Sequence, residues 1–141
     1  MGTISKNFSY KEFEDSDKAK GRHIQNVITD TEVRDSVKAL VLNVLQPLRD
    51  EWGGPLVINS GYRCKELNKL VGGVESSQHR KGEAADVGCT DPVALARLAK
   101  RLKLPYDQMI LYPSFVHFSH KLNGEQRGQI LYAKSYGGPK I

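Results

Sequence analysis

Long apolar runs are missing from this 141-residue chain: no stretch approaches the ~18 residues that a membrane-crossing helix needs. No membrane partner is expected. The segment Met1-Gly2-Thr3-Ile4-Ser5-Lys6 holds no apolar stretch of the kind a secretory leader carries, so no signal peptide is expected. Lys6 also stands where a myristoylation signal needs Ser or Thr. Cysteine is scarce. The two present, Cys64 and Cys89, fit no compact zinc-finger spacing, and without a leader a disulfide is disfavoured. Both read as buried free thiols. Lys and Arg outnumber Asp and Glu by 21 to 16. The basic residues are nevertheless scattered among acids, with no long run interleaved with aromatics, so no nucleic-acid partner is expected. Neither an internal repeat nor a linker interrupts the chain. Residues 1–141, at 39% hydrophobic content, read as a single domain with a real core.

What is present is a regular alternation of helix and strand signals. Ser9 followed by Glu12 reads as a capping box opening a short helix, with Phe8 and Phe13 pinning it to the domain. His23, in a basic loop, reads as solvated. The longest helix is expected to open at Thr29-Asp30-Thr31-Glu32 on the Thr-x-x-Glu signature. Val33, Val37, Leu40, Val41, Val44, Leu45 and Leu48 recur along it at helical spacing as one core-facing stripe. Pro47 should kink or loosen it, and Gly53-Gly54-Pro55 should end it. A buried strand over 56–60 and a short helix closed by Gly72-Gly73 follow. Next come a strand over 83–87 and a helix from Pro92 capped by Thr90 or Asp91. Strands over 107–112 and 115–120 pair as a hairpin across Pro113-Ser114. A last strand over 129–134 extends the sheet, and the tail over 137–140 reads as loose. The class is α+β: a small, mostly antiparallel sheet flanked by helices.

The chemistry concentrates between Ser60 and Asp86. A catalytic zinc takes three protein ligands, commonly His nitrogen and carboxylate oxygen, and keeps one position open. His79 and Asp86 are candidate ligands, with Gly82 between them free to make a sharp turn. Phe115-Val116-His117-Phe118-Ser119-His120 offers a third. Strand alternation places His117 and Ser119 on one face and His120 on the other, so only one of the two histidines is expected to meet the metal.

Four blocks, Ser-Gly-Tyr-Arg, Leu-Asn-x-x-Val-Gly-Gly, Ser-Gln-His-x-x-Gly-Glu-Ala-Ala-Asp and Phe-Val-His-Phe-Ser, occur in order along the chain. Together they resemble the M15 family of zinc D-alanyl-D-alanine carboxypeptidases, which includes phage endolysins and vancomycin-resistance dipeptidases. The resemblance runs from about Phe8 to about Lys121. It implies a D-Ala-D-Ala carboxypeptidase/hedgehog-like fold and a zinc ion held by His79, Asp86 and His117. It further implies that Arg63 faces the substrate and the developing oxyanion, and that Ser77 stands beside the metal as a substrate contact. The implied activity is cleavage of peptidoglycan stem peptides, by a carboxypeptidase or an endolysin-type endopeptidase acting as a monomer. Without a leader, such a protein would reach the wall by lysis, by another export route or within a phage particle.

One element of the family pattern is missing. Relatives carry an acid shortly before the third ligand as general base, whereas Leu111-Tyr112-Pro113-Ser114-Phe115-Val116 precedes His117 here. The nearest upstream acid, Asp107, is the candidate catalytic base, and Glu83 is a second possibility. A lost general base costs roughly 10²–10⁴-fold in rate. A zinc-retaining cell-wall-binding domain with little or no turnover is therefore the alternative.

Overall fold

The computed structural model describes residues 2–141; residue 1 of the expected domain lies outside the described residues. The chain opens with a hairpin of β1 (Thr3–Ser5) and β2 (Phe8–Ser9), then α1 (Tyr10–Glu14) and α2 (Asp17–Gly21). Glu12 accepts a hydrogen bond from the Ser9 amide at 2.9 Å, and Phe8 and Phe13 are buried, as the capping box suggested. Helix α2, capped by Ser16, was not anticipated. His23 is exposed, as expected.

The long helix is three pieces: α3 (Thr31–Leu40), a π-helical turn (Val41–Leu45) and α4 (Gln46–Trp52). Its cap is Asp30, whose carboxylate accepts from the Glu32 amide, and not Thr29. The π turn just before Pro47 has a direct cause. Proline lacks the N–H that would bond four residues back, and its ring crowds that carbonyl, so the preceding turn widens to bonds spanning five residues. The Gln46 amide accordingly donates to Val41.

The remaining elements are β3 (Val57–Ser60), α5 (Lys65–Leu70), β4 (Ala84–Gly88), α6 (Pro92–Arg101), β5 (Gln108–Leu111), β6 (Phe115–Ser119) and β7 (Gln129–Tyr132). Asp91 caps α6, with Pro92 in its first turn. Five strands form one sheet in the order β3-β4-β6-β5-β7. Every neighbouring pair is antiparallel except β5 and β7, which run parallel. The α+β class with a mostly antiparallel sheet therefore holds.

Alternation sorts the sheet into two faces. Ala85, Val87, Met109, Leu111, Val116 and Phe118 are buried in the core with the apolar stripes of α3, the π turn, α4 and α6. Asp86, Ile110, Phe115 and His117 alternate with them and take the opposite face. Both cysteines are free, but half-buried rather than fully buried. The tail is tied down: the Ile141 amide donates to the Tyr132 hydroxyl at 2.8 Å, and Tyr136 stacks on Tyr132.

Candidate metal centre

Three segments converge on the face opposite the core. The register sets Asp86 of β4 directly against His117 of β6, and Ser60, the last residue of β3, against Asp86 on the other side. His79 arrives from the loop before β4. That loop doubles back at Gly82, whose φ of +74° favours a residue without Cβ; an added Cβ would also lie 2.7 Å from the Val33 carbonyl.

The block Ser60-Gly61-Tyr62-Arg63 is stitched to His79 at two points. The Arg63 amide donates to the His79 carbonyl at 3.0 Å, and His79 Nδ1–H donates to the Gly61 carbonyl at 2.7 Å. The amino-terminal segment holds this block from behind. The Tyr62 amide donates to the Phe13 carbonyl, and buried Asn26 donates to the Tyr62 carbonyl while accepting from the Cys64 amide. Gly61 lies so close to Phe13 that a Cβ there would come within 2.7–2.9 Å of it.

These bonds decide the chemistry of His79. A carbonyl only accepts, so Nδ1 carries the proton and Nε2 presents a lone pair. That lone pair faces Asp86 Oδ1 at 3.4 Å, and the same oxygen lies 2.8 Å from His117 Nδ1. Two acceptors turned toward one another in a half-buried site suit a cation between them. The donor atoms of His79, Asp86 and His117 all lie within 4.8 Å of one another. Tetrahedral ligands at about 2.0–2.2 Å from a zinc ion stand roughly 3.3 Å apart, so the set fits such an ion. Burial pushes the Asp86 carboxyl up, but the contact with His117 and the proximity of His79 outweigh it and hold it below the usual carboxylate range. It therefore presents as an anion.

Asp86 divides its oxygens: Oδ1 faces the histidines, and Oδ2 lies 4.0 Å from Arg63 Nη2. The guanidinium is further held by Ser60 Oγ at Nε and Asn68 Oδ1 at Nη1, both at 3.3 Å. Burial lowers the Arg63 pKa, opposed by the charge of Asp86 and by Tyr112. Ser77 lies beside the ligand loop, its hydroxyl accepting from the His79 amide at 3.2 Å.

Asp107 stands outside this cluster. It is fully buried just before β5, with both oxygens occupied. Oδ1 accepts from the Arg127 amide (2.8 Å) and Nε (3.0 Å), and Oδ2 from Arg127 Nη2 (2.7 Å) and Gln78 Nε2 (3.2 Å). Burial raises its pKa, but Arg127 more than compensates and holds it at about 2. Glu83 is likewise engaged, by the Leu122 amide and Gln78. His120 lies just past the end of β6, its Nδ1 buried without a partner.

Sequence reasoning missed Asn68, Asn26 and Ser60 as supports, and Tyr112 as a neighbour of the site. Tyr112 stacks on Phe115 with ring centroids 4.3 Å apart. Burial raises its phenol pKa, the charge of Asp86 adds to that, and Arg63 opposes it. A phenol thus stands near the site, in the stretch where an acid was sought.

A family model described as Peptidase M15 matches residues 6–120. Over 86 residues, 59% of this chain, the sequence is 33% identical to the zinc D-Ala-D-Ala carboxypeptidase of Streptomyces albus G. The aligned part covers 34% of that protein, so the chain spans about a third of its relative's length.

Proposed function

Because the chain belongs to the peptidase M15 family, we propose that it is a zinc-dependent peptidase acting on the stem peptides of bacterial peptidoglycan. One observation carries this reading: the His79 lone pair and the ionised Asp86 converge with His117, beside an arginine that faces the same carboxylate. His79, Asp86 and His117 hold the ion. Zinc there supplies Lewis acidity toward a scissile carbonyl and lowers the pKa of a water to about 7.

The protein's own groups do the rest. His79 is locked in one tautomer by Gly61, which fixes its ring before any ion binds. Arg63 spends two of its five N–H donors on Ser60 and Asn68 and turns those of Nη2 toward Asp86 and the site. Those donors stabilise the oxyanion of the tetrahedral intermediate, or clamp a substrate carboxylate. Ser77 Oγ accepts from the chain, and its O–H is left to donate to substrate. The named relative is a D-Ala-D-Ala carboxypeptidase, which supports a carboxypeptidase over an endolysin-type endopeptidase. We take residues 1–141 as one monomeric peptidase domain acting at the bacterial cell wall.

A specific observation favours a second reading. The expected base, Asp107, has both oxygens committed to Arg127 and Gln78, which supports a role as an anchor and leaves no carboxylate free to take a proton from water. The protein would then hold zinc and bind cell-wall peptide with slow or no turnover. Mass spectrometry of peptidoglycan incubated with the zinc-loaded protein, with and without chelator, separates the two. Chelator-sensitive release of D-alanine or shortened stem peptides names the bond. Intact peptidoglycan beside protein with zinc bound favours the binding domain.

A further inference from the structure

The block Leu-Asn-x-x-Val-Gly-Gly has no role in the metal centre, yet its polar member reaches that centre. Asn68 lies in α5 and is 3% exposed. Its Nδ2 donates to the Val74 carbonyl at 2.8 Å, and its Oδ1 accepts from Arg63 Nη1 at 3.3 Å. The amide can point only one way, because a carbonyl needs the NH₂ and a guanidinium needs the oxygen. The glycine pair makes the room. Gly72 takes φ +77° to reverse the chain, and the Gly73 amide returns to the Asn68 carbonyl at 2.9 Å. A Cβ on Gly73 would lie 2.2 Å from Asn68 Oδ1 and 3.1 Å from Arg63 Nη1.

From this geometry we infer that Asn68, seated by Gly73, is the positioning residue for Arg63, fixing the guanidinium so that Nη2 faces Asp86 and the metal-bearing face. Ser60 Oγ holds the other edge at Nε. A free arginine side chain has large rotamer freedom, and a donor aimed in advance needs no reorganisation when charge develops. The inference rests on the peptidase reading only for what Arg63 does; that Asn68 orders Arg63 can be tested without turnover.

The test reads the Arg63 Nε–Hε resonance by ¹H–¹⁵N NMR, assigned by its disappearance in Arg63→Lys. In the wild type this resonance should be dispersed and rigid on the fast timescale. In Asn68→Ala it should collapse to the averaged position of exposed arginines, with zinc stoichiometry unchanged. Asn68→Asp keeps the acceptor toward Arg63 but loses the donor to the Val74 carbonyl, so it should restore the dispersed signal only in part. Gly73→Ala disturbs the same contact from the other side and should reproduce the loss, which guards against misfolding of the alanine variant. An unchanged, rigid Arg63 signal in folded Asn68→Ala or Gly73→Ala overturns the inference. In an active enzyme, Asn68→Ala should lower kcat by about 10²-fold, the scale of a misplaced catalytic group. It should add nothing further in an Arg63→Ala background; additive losses would also overturn it. A wild type without turnover refutes the peptidase reading, and the NMR comparison still decides the positioning claim.

Discussion

Replacing Asp107 with asparagine separates an anchor from a base. The carboxylate is fully buried, its oxygens accept five hydrogen bonds from Arg127 and Gln78, and Lys121 Nζ stands 3.8 Å away. Its pKa falls from 3.8 to about 2. At about 1.4 kcal/mol for each tenfold change in affinity for the proton, that fall corresponds to roughly 2 kcal/mol of stability at neutral pH. Solvent around the 43%-exposed Arg127 side chain trims it toward ~1–2 kcal/mol. Asparagine also turns an NH₂ group against the guanidinium or leaves a bond unmade, adding ~1 kcal/mol. The variant should lose about 2–3 kcal/mol, a fall of roughly 6–10 °C in thermal midpoint for a chain of this size. The sign of the pH dependence follows from a depressed folded-state pKa. The carboxylate's contribution is complete above about pH 4 and is lost as pH falls through about 2. The gap between wild type and variant should therefore be widest at neutral pH and close across that window. Zinc-loaded Asp107→Asn should keep wild-type turnover per folded molecule. An unchanged midpoint together with a 10²–10⁴-fold loss of activity would refute this reasoning and make Asp107 the base.

Three further outcomes are expected. His117→Ala should lose zinc while His120→Ala retains it, and metal analysis showing the reverse would overturn the assignment of strand faces. Gly82→Ala combines a φ of +74° with a Cβ 2.7 Å from the Val33 carbonyl, so it should cost at least ~2 kcal/mol by urea titration and weaken zinc binding; a near-neutral result would mean that the loop shifts freely. Arg63→Ala should lower kcat by about 10²–10³-fold with zinc stoichiometry intact, and unaltered kcat would exclude it from stabilising the oxyanion.

The parts of the fold that were legible are those set by neighbours in sequence. Asp91-Pro92 announces α6 because a cap and a first-turn proline act within one helical turn. Alternation put His117 on the open face of β6, because a strand reverses its side chains at every residue, while His120 falls just past the strand's end. The helical stripe from Val33 to Leu48 located the core and Pro47 marked where the helix loosens, yet the stripe did not show that the loosening is a π turn, since one extra residue in a turn barely disturbs the pattern. The parallel pairing of β7 with β5 was hidden for a different reason: its four residues look the same in either orientation.

Asn26 and the Asp107–Arg127 anchor escaped notice because their partners are distant in the chain, whereas Ser60 and Asn68 lie within five residues of Arg63 and are set by a turn rather than a periodicity. Asn26 meets Tyr62 and Cys64, and Asp107 meets Arg127 twenty residues later. No local periodicity encodes such pairs. A buried polar group is satisfied by whatever the fold brings beside it, and only the fold says what that is. This bears on the missing base. Asp86 belongs to the proposed metal set, Asp107 is committed to Arg127, and Glu83 to the Leu122 amide and Gln78. Of the three, Glu83 is the least tightly held, since Gln78 reaches one of its oxygens through a single 3.3 Å bond. Gln78 bonds Asp107 as well, so the anchor and this looser carboxylate share one amide. If turnover is found, a proton acceptor should be sought first at Glu83, where releasing one weak bond frees an oxygen. Asp107 would have to give up a buried ion pair to do the same.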